Sequence, residues 1–146
     1  NIIVPNVTWG MGFLYELDIL VMSPNGRCFE VEIKTSRADL KRDLKKQHHH
    51  KSNRIARLYF AMPARMRPDI DLVPADAGVL LISAGGFVEQ IRSAKLNRAA
   101  RNMDAKEMLC LARLGLLRLW PMKKTLIDQG QQWLLDQKQK LEQADK

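Results

Sequence analysis

The residues from 16 to 34 constrain the fold of this chain more than any other stretch. They form two runs in which apolar and polar residues alternate, and Pro24-Asn25-Gly26 lies between the two runs. Alternation with a period of two is typical of β-strands, and a short turn between two such runs predicts a β-hairpin. Pro24 suits the first central position of a type I turn and Gly26 suits the left-handed residue after it, so we expect a three-residue loop.

The length of this loop decides which residues face each other across the hairpin. A three-residue loop pairs Asp18 with Glu32 and Glu16 with Lys34, whereas a two-residue loop would set Asp18 beside Ile33 and mix the two faces. The alternation therefore favours the three-residue loop. In that register one face carries the charged residues, and the other carries apolar residues only, namely Leu17, Ile19, Val21, Phe29, Val31 and Ile33.

The charged face brings two carboxylates together. Asp18 and Glu32 would lie directly opposite each other with their Cβ atoms about 5 Å apart, and like charges in that position are destabilising. A divalent cation with oxygen ligands would relieve the repulsion, and Lys34 lies one pleat further along the same face. The alternative is a solvated sheet face on which mixed charges alternate. We favour a metal site built on Asp18, Glu32 and Lys34.

This pattern resembles a known active-site signature. Asp18, then a hairpin, then Glu32-Ile33-Lys34 is similar to the motif of the PD-(D/E)XK nuclease superfamily, which has the restriction-endonuclease-like fold. The wider run from 30 to 43 resembles small DNA-repair and phage-type members, including MmcB-like proteins, and the resemblance covers roughly residues 9 to 63. It implies an α/β protein with a mixed central sheet flanked by helices. It also implies a Mg²⁺- or Mn²⁺-dependent deoxyribonuclease of DNA repair, restriction or phage DNA metabolism.

The resemblance also assigns roles to individual residues. Asp18 and Glu32, with the backbone carbonyl of Ile33, would hold the cation. Lys34 would orient the attacking water and stabilise the charge that builds up on the phosphate. Further residues near the motif are candidates for accessory roles, such as recruiting a second ion: Glu16, Glu30, Ser36 and Asp39.

A basic helix is predicted directly after the motif. Ser36 is a good N-cap residue and Asp39 stands three positions later, so we expect a helix over 37–48 with Leu40 and Leu44 on its inner side. Many of the residues from this helix onward carry or can carry positive charge, and they are candidates for contacts with DNA phosphates: Lys41, Arg42, Lys45, Lys46, His48, His50, Lys51 and Arg54. The alternative is again a solvated helix face.

The remainder of the chain predicts further strands and then helices. We expect a buried strand at 58–62 beside the motif strand, a surface loop over 65–74, and a hairpin of strands 77–83 and 87–91. The basic segment 92–101 is either one side of a DNA cleft or a solvated connector. Asp104 and Glu107 predict a capped helix that ends at Pro121. Its apolar side chains form a stripe from Met108 to Leu117. A second amphipathic helix after residue 123 could dock on the core or pair two subunits into a homodimer.

Composition limits the class of protein. With 146 residues, of which 46% are hydrophobic, the chain is long enough for one core, so we expect a single domain over 1–146 with 104–146 as a helical C-terminal extension. The formal net charge of +8 favours a polyanionic partner, nucleic acid before an anionic membrane surface. There is no apolar run long enough to span a bilayer, and two cysteines provide no disulfide framework, which fits a cytoplasmic protein.

Three functions are compatible with these sequence features. The first is a metal-dependent nuclease that acts on DNA. The second is a non-catalytic DNA-binding or recruitment module on the same fold, which would bind in a salt-sensitive way without a divalent cation. The third is an interaction protein that dimerises through its C-terminal helix. We favour the nuclease.

Overall fold

The part of the chain that the structure describes contains six strands, two α-helices and one 3-10 helix. The computed structural model describes residues 1–8, 11–13, 15–43, 45 and 52–144, with side chains as far as residue 136. The strands are β1 (Ile2–Val7), β2 (Leu17–Met22), β3 (Cys28–Ile33), β4 (Ile55–Pro63), β5 (Gly78–Ile82) and β6 (Val88–Arg92). The helices are α1 (Arg37–Asp43) and α2 (Ala105–Ala144), and a 3-10 helix spans Ala64–Leu72.

The strands form one open sheet in which spatial order follows chain order. The three strands β1, β2 and β3 are antiparallel, β3, β4 and β5 are parallel, and β6 returns antiparallel to β5. Parallel neighbours need a crossover connection, and α1 lies in the connection between β3 and β4. The predicted α/β class with a mixed sheet flanked by helices is confirmed, as is the parallel pairing of the motif strand with the strand after α1.

The hairpin of β2 and β3 has the predicted three-residue turn. The Ser23 amide donates a hydrogen bond to the Arg27 carbonyl at 2.9 Å, and Gly26 has a φ of +79°. Leu20 pairs with Glu30, as the three-residue loop requires. A side chain at Gly26 would come within 2.9 Å of the carbonyl oxygen of Met103, so the turn also fits closely against the segment before α2.

The charged face of the hairpin is buried, so the alternative of a solvated face is wrong. Glu30, Glu32 and Lys34 are 0%, 2% and 3% exposed, whereas Ile33 on the other face is 42% exposed. Period-two alternation separates the two faces of a strand without saying which of them is covered. Here the charged face continues into the buried side of β4 and β5, because Glu32 pairs with Phe60 and Phe60 pairs with Val79.

The core consists of two apolar clusters. The first packs β1, β2 and the start of α2 together and includes Val4, Leu20, Met22 and Leu111. The second packs β4 and β5 with α1 and the 3-10 helix, and its buried members are Leu40, Phe60, Met62, Met66, Val73, Ala77, Val79 and Leu81. Strand β3 runs between β2 and β4 and carries the buried charged residues, which therefore lie between the two clusters.

Two sequence predictions about the helices are wrong. Residues 65–74 are not a plain loop, because Ala64–Leu72 forms a 3-10 helix that buries Met66. Pro121 does not end its helix, because α2 continues as one 40-residue helix from Ala105 to Ala144. Pro121 leaves the carbonyl one turn earlier without its usual amide partner. Since this turn is exposed, water can satisfy that carbonyl. The prediction that α1 reaches His48 falls on residues outside those described.

Helix α2 contacts the rest of the chain through its first turns. Leu111 is fully buried, and the Arg118 guanidinium donates a hydrogen bond to the Asn6 carbonyl at 3.2 Å. Leu117, which the predicted stripe included, is 60% exposed. The large apolar side chains further along the helix are also exposed: Leu119, Trp120, Met122, Leu126, Ile127, Trp133, Leu134 and Leu135. Among the described residues no helix is both long and apolar enough to span a membrane.

Candidate active site

The Asp18 carboxylate lies against the backbone of β3. The regular pairing of β2 with β3 reaches Ile19 and Val31, and Asp18 Oδ2 then accepts a hydrogen bond from the Ile33 amide at 2.8 Å. This bond fixes the half-buried carboxylate beside the residue that follows Glu32. Asp18 is therefore placed against the Ile33 backbone, whereas its predicted pairing with Glu32 is not among the strand partners. The further pairing of Glu16 with Lys34 is not among the strand partners.

Lys34 is held by two buried carboxylates. Its Nζ lies 2.7 Å from Glu32 Oε2 and 3.0 Å from Asp43 Oδ1, and none of the three side chains is more than 4% exposed. The Lys34 amide also donates a hydrogen bond to the Ala61 carbonyl of β4 at 3.0 Å, which fixes the backbone where β3 ends. The Phe60 ring lies 5.9 Å from Nζ. The lysine head group thus has a defined position next to Glu32.

The surroundings keep Lys34 protonated. Burial lowers the pKa of the ammonium group, but the hydrogen bonds and negative charges of Glu32 and Asp43 outweigh this effect and place the pKa above its ordinary value. At neutral pH the group is therefore a cation and a hydrogen-bond donor. It can stabilise negative charge or orient a water molecule, and it is poorly suited to act as a general base.

Asp43 belongs to the site although it is not among the residues predicted from the sequence. It is 3% exposed. Leu40, three residues earlier, is fully buried, and residues three apart share a helix face. The position of Asp43 relative to Leu40 was the signal that could have identified it.

Glu30 is a further buried carboxylate, on the same face of β3 as Glu32. Glu30 is 0% exposed, and the Tyr15 hydroxyl donates a hydrogen bond to its Oε2 at 3.1 Å. Burial, together with the charge of Glu30, raises the pKa of Tyr15 far above its usual range, so Tyr15 remains a hydrogen-bond donor. Tyr15 was not predicted to have a role, because the segment before β2 shows no pattern that would direct its side chain toward β3.

The other accessory candidates lie apart from this cluster. Glu16 is exposed. Ser36 caps α1, since its Oγ accepts a hydrogen bond from the Asp39 amide at 3.2 Å, as the capping pattern predicts. Asp39 pairs with Arg42 at 3.5 Å on the exposed side of the helix. Ser36 and Asp39 therefore stabilise the helix that carries Asp43.

The predicted DNA-binding residues divide into three groups. Lys41, Arg42 and Lys45 are exposed. Arg54 lies in the interior, where its guanidinium contacts the Gly12 carbonyl at 2.6 Å, Glu107 at 3.2 Å and the Phe13 ring at 4.2 Å. The prediction that it contacts DNA is therefore wrong, and its role is to connect the segment before β2 with α2. The remaining four lie outside the described residues: Lys46, His48, His50 and Lys51.

Most cations of segment 92–101 have partners within the chain. Arg92 donates hydrogen bonds to the carbonyls at 73, 74 and 77, and Lys95 pairs with Asp76 at 3.2 Å. Arg101 makes two 2.7 Å hydrogen bonds to Glu107, which also completes the predicted capping box with Asp104, and these bonds lower the pKa of Glu107 to about 2. Arg98 is exposed and pairs with no acid that the structure describes.

A magnesium ion held by the predicted ligands would have to keep most of its water. In the described part of the chain, no three or more histidine, cysteine, aspartate or glutamate side chains are arranged to hold a metal. Asp18 and Glu32, with the Ile33 carbonyl, supply fewer ligands than a fully protein-bound ion needs. Mg²⁺ usually binds through only one or two carboxylates and completes its shell with water and phosphate oxygens. Such a site is compatible with the residues present.

The fold and this site define an α/β protein with an open mixed sheet that holds a buried lysine between carboxylates at the end of its third strand. The sequence profile of the MmcB-like DNA repair proteins matches residues 7–125, and the chain belongs to this family. No functionally curated protein matches the chain. A solved structure with the same fold is the SPO1766 protein of unknown function from Silicibacter pomeroyi, with a TM-score of 0.60 and 20% identity. That match covers 87% of this chain and 80% of the other.

Proposed function

We propose that this chain is a Mg²⁺- or Mn²⁺-dependent deoxyribonuclease of the PD-(D/E)XK type that acts in DNA repair. The main support is the position of Lys34, a buried cation beside Glu32 and one residue from the backbone amide that Asp18 binds. Burying a charged group costs free energy of folding. Hydrophobic residues in place of Glu32, Lys34 and Asp43 would therefore be expected to give a fold of equal or greater stability. A catalytic role would account for the buried charges.

The residues have distinct roles in this proposal. Asp18, Glu32 and the Ile33 carbonyl would hold the cation, which when bound lowers the pKa of a coordinated water and neutralises phosphate charge. Lys34 donates hydrogen bonds to the attacking water or to the non-bridging phosphate oxygen on which negative charge accumulates. Asp43 keeps the Lys34 ammonium protonated and, together with Glu32, fixes its position. Exposed Lys41, Arg42 and Lys45 would contact the DNA backbone nearby.

One observation favours a second candidate function. Lys41, Arg42 and Lys45 are exposed on or next to α1 in a chain with a formal net charge of +8, so the chain could bind or recruit DNA on this fold without hydrolysis. Such a module would bind DNA with a strong dependence on salt and none on divalent cations. A homodimer formed through the C-terminal helix also stays a prediction.

A cleavage assay separates the two functions. Wild type and Lys34→Met would be incubated with linear, circular and branched DNA in Mg²⁺, in Mn²⁺ and in EDTA, with Lys106→Met as a matched control because Lys106 is an exposed lysine on α2. The nuclease proposal expects cutting that needs a divalent cation, persists in Lys106→Met and is lost in Lys34→Met while DNA binding remains. Binding without cutting by the wild type would favour the recruitment module.

A further inference from the structure

An open pocket of about 1270 Å³ lies beside the candidate active site. We call it the β4 pocket, because Leu58 and Phe60 of that strand form its floor. Asp76 and residues 95–98 also line the pocket, and the exposed members of segment 95–98 form what we call its rim. Its volume exceeds the roughly 300–1,000 Å³ that is typical of a site for one small molecule. The pocket therefore has room for more than one small group.

The β4 pocket is continuous with the lysine cluster. Asp43 and Phe60 line the pocket, and these same residues lie next to the Lys34 ammonium, with Asp43 Oδ1 at 3.0 Å and the Phe60 ring centroid at 5.9 Å. Both are buried, whereas residues 95, 97 and 98 of the lining are exposed, so Asp43 and Phe60 belong to the inner part of the pocket. A group bound at this inner part would lie next to Lys34.

The lining of the β4 pocket combines the groups that a nucleotide requires. Leu58 and Leu96 are half-buried apolar side chains that can contact a base, and the exposed Arg98 can bind a phosphate. Lys95 is also on the rim, and its ion pair with Asp76 is exposed on both sides. Exposed pairs contribute little to stability, so Lys95 can exchange Asp76 for a phosphate at small cost. The Asn97 amide, which donates to the Ile55 carbonyl at 3.1 Å, fixes the rim against β4.

A base in duplex DNA cannot occupy such a pocket. Its faces are stacked on neighbouring bases and its edge is paired, so it must first leave the duplex or belong to a single strand. Positive charge along a backbone and apolar contact with unstacked bases are the features by which proteins bind single strands.

From these observations we infer that the β4 pocket binds unpaired nucleotides of a single-stranded DNA segment and delivers the adjoining phosphate to Lys34. The substrate would then be DNA with a single-stranded end, gap or flap. The delivery of a phosphate to Lys34 rests on the proposed nuclease function, whereas the preference for single strands is a binding property that can be measured without cleavage.

The test compares the affinities of two DNA forms in EDTA, where no divalent-dependent cleavage occurs. Fluorescence anisotropy would be used with a labelled single strand of about 12 nucleotides and with a blunt duplex of the same sequence. The wild type is expected to bind the single strand at least about fivefold more tightly. Arg98→Glu should weaken single-strand binding about fivefold or more, because it replaces an attraction to phosphate by a repulsion, and should change duplex binding less than about twofold.

The matched control is Arg113→Glu, which makes the same charge change at an exposed position of α2. It should lower both affinities equally and by less than about twofold. Leu58→Trp, which fills the pocket, should also weaken binding of the single strand alone, provided that its thermal unfolding remains cooperative. Equal affinities of the wild type for the two forms, or equal losses in Arg98→Glu and Arg113→Glu, would overturn the inference.

Failure of this inference is distinguishable from failure of the nuclease proposal. A preference for single strands without any cleavage would support the inference about the β4 pocket and contradict the nuclease proposal. Cleavage with equal affinity for single-stranded and duplex DNA would support the nuclease proposal and contradict the inference about the pocket.

Discussion

Replacing Lys34 by methionine should destabilise the fold in a way that depends on pH. The substitution keeps an unbranched side chain of similar length but removes the ammonium group that lies 2.7 Å from Glu32 and 3.0 Å from Asp43. Removing one partner of a buried ion pair typically costs about 3–5 kcal/mol, since it leaves uncompensated buried charge. Globular domains have total stabilities of only about 5–15 kcal/mol, so the loss should be large and easily measured.

The sign of the pH effect follows from the carboxylates left behind. In Lys34→Met, Glu32 and Asp43 remain buried without the cation that compensates their charge. Binding a proton removes the charge of a buried carboxylate, so folding of the variant is favoured at lower pH. The variant should therefore be least stable near pH 7.5 and should recover part of the loss near pH 5. In the wild type, the raised pKa of Lys34 instead predicts a loss of stability above about pH 10.5.

Urea unfolding followed by circular dichroism at both pH values would measure these effects. Lys106→Met is the control and should change the free energy of unfolding by less than about 0.5 kcal/mol. Combining Lys34→Met with Glu32→Gln and Asp43→Asn should restore much of the stability at pH 7.5, because the buried charges are gone. A loss below about 1 kcal/mol in Lys34→Met, or one that is equal at both pH values, would refute this account of the cluster.

Three further predictions concern the rest of the fold. Gly26→Ala should lower the free energy of unfolding by about 1–3 kcal/mol, because Gly26 has a positive φ and a new Cβ would meet the nearby backbone. Gly130→Ala should raise the free energy of unfolding by about 0.5–1 kcal/mol, because a new Cβ there meets nothing within 4 Å. Urea unfolding of both variants checks this prediction, and equal effects would contradict it. Cys110 is exposed, and Cys28 is buried with a pKa raised by burial to about 11, so one thiol should react with a disulfide reagent in the native protein and two in denaturant. Because the pKa of Glu107 is lowered to about 2, its carboxylate favours folding above the unfolded pKa near 4.3 and loses that contribution as pH falls through about 2. The stability difference between wild type and Glu107→Gln should therefore shrink over this range, and a difference independent of pH would show that the charge has no such role.

Local interactions explain what the sequence predicted correctly. The register of β2 and β3 follows from the Pro24-Asn25-Gly26 turn and from the alternation around it, both of which act within twenty residues. The start of α1 follows from Ser36 in the same way. The convergence of Asp18 with the Glu32-Ile33 backbone was predictable for this reason.

Long-range packing explains what the sequence did not predict. Which face of the hairpin is buried depends on where α1, α2 and β4 pack, and alternation carries no information about that. The roles of Asp43 and Tyr15 depend on how α1 and the segment before β2 pack beside Lys34 and Glu30, which the sequence pattern does not specify. Proline removes a hydrogen bond from a helix interior and can kink a helix without ending it, and α2 continues past Pro121.

The rate of Mg²⁺-dependent DNA cleavage by Asp18→Asn tests the central claim most directly. Asparagine keeps an oxygen that can accept the Ile33 hydrogen bond but removes the charge that would bind the cation, so the fold and DNA binding should persist. Relative to the wild type at equal DNA occupancy, we expect the rate to fall by about 100-fold or more, while Asp128→Asn, at an exposed position of α2, leaves it unchanged. Cleavage by Asp18→Asn at the wild-type rate would contradict the assignment of this site.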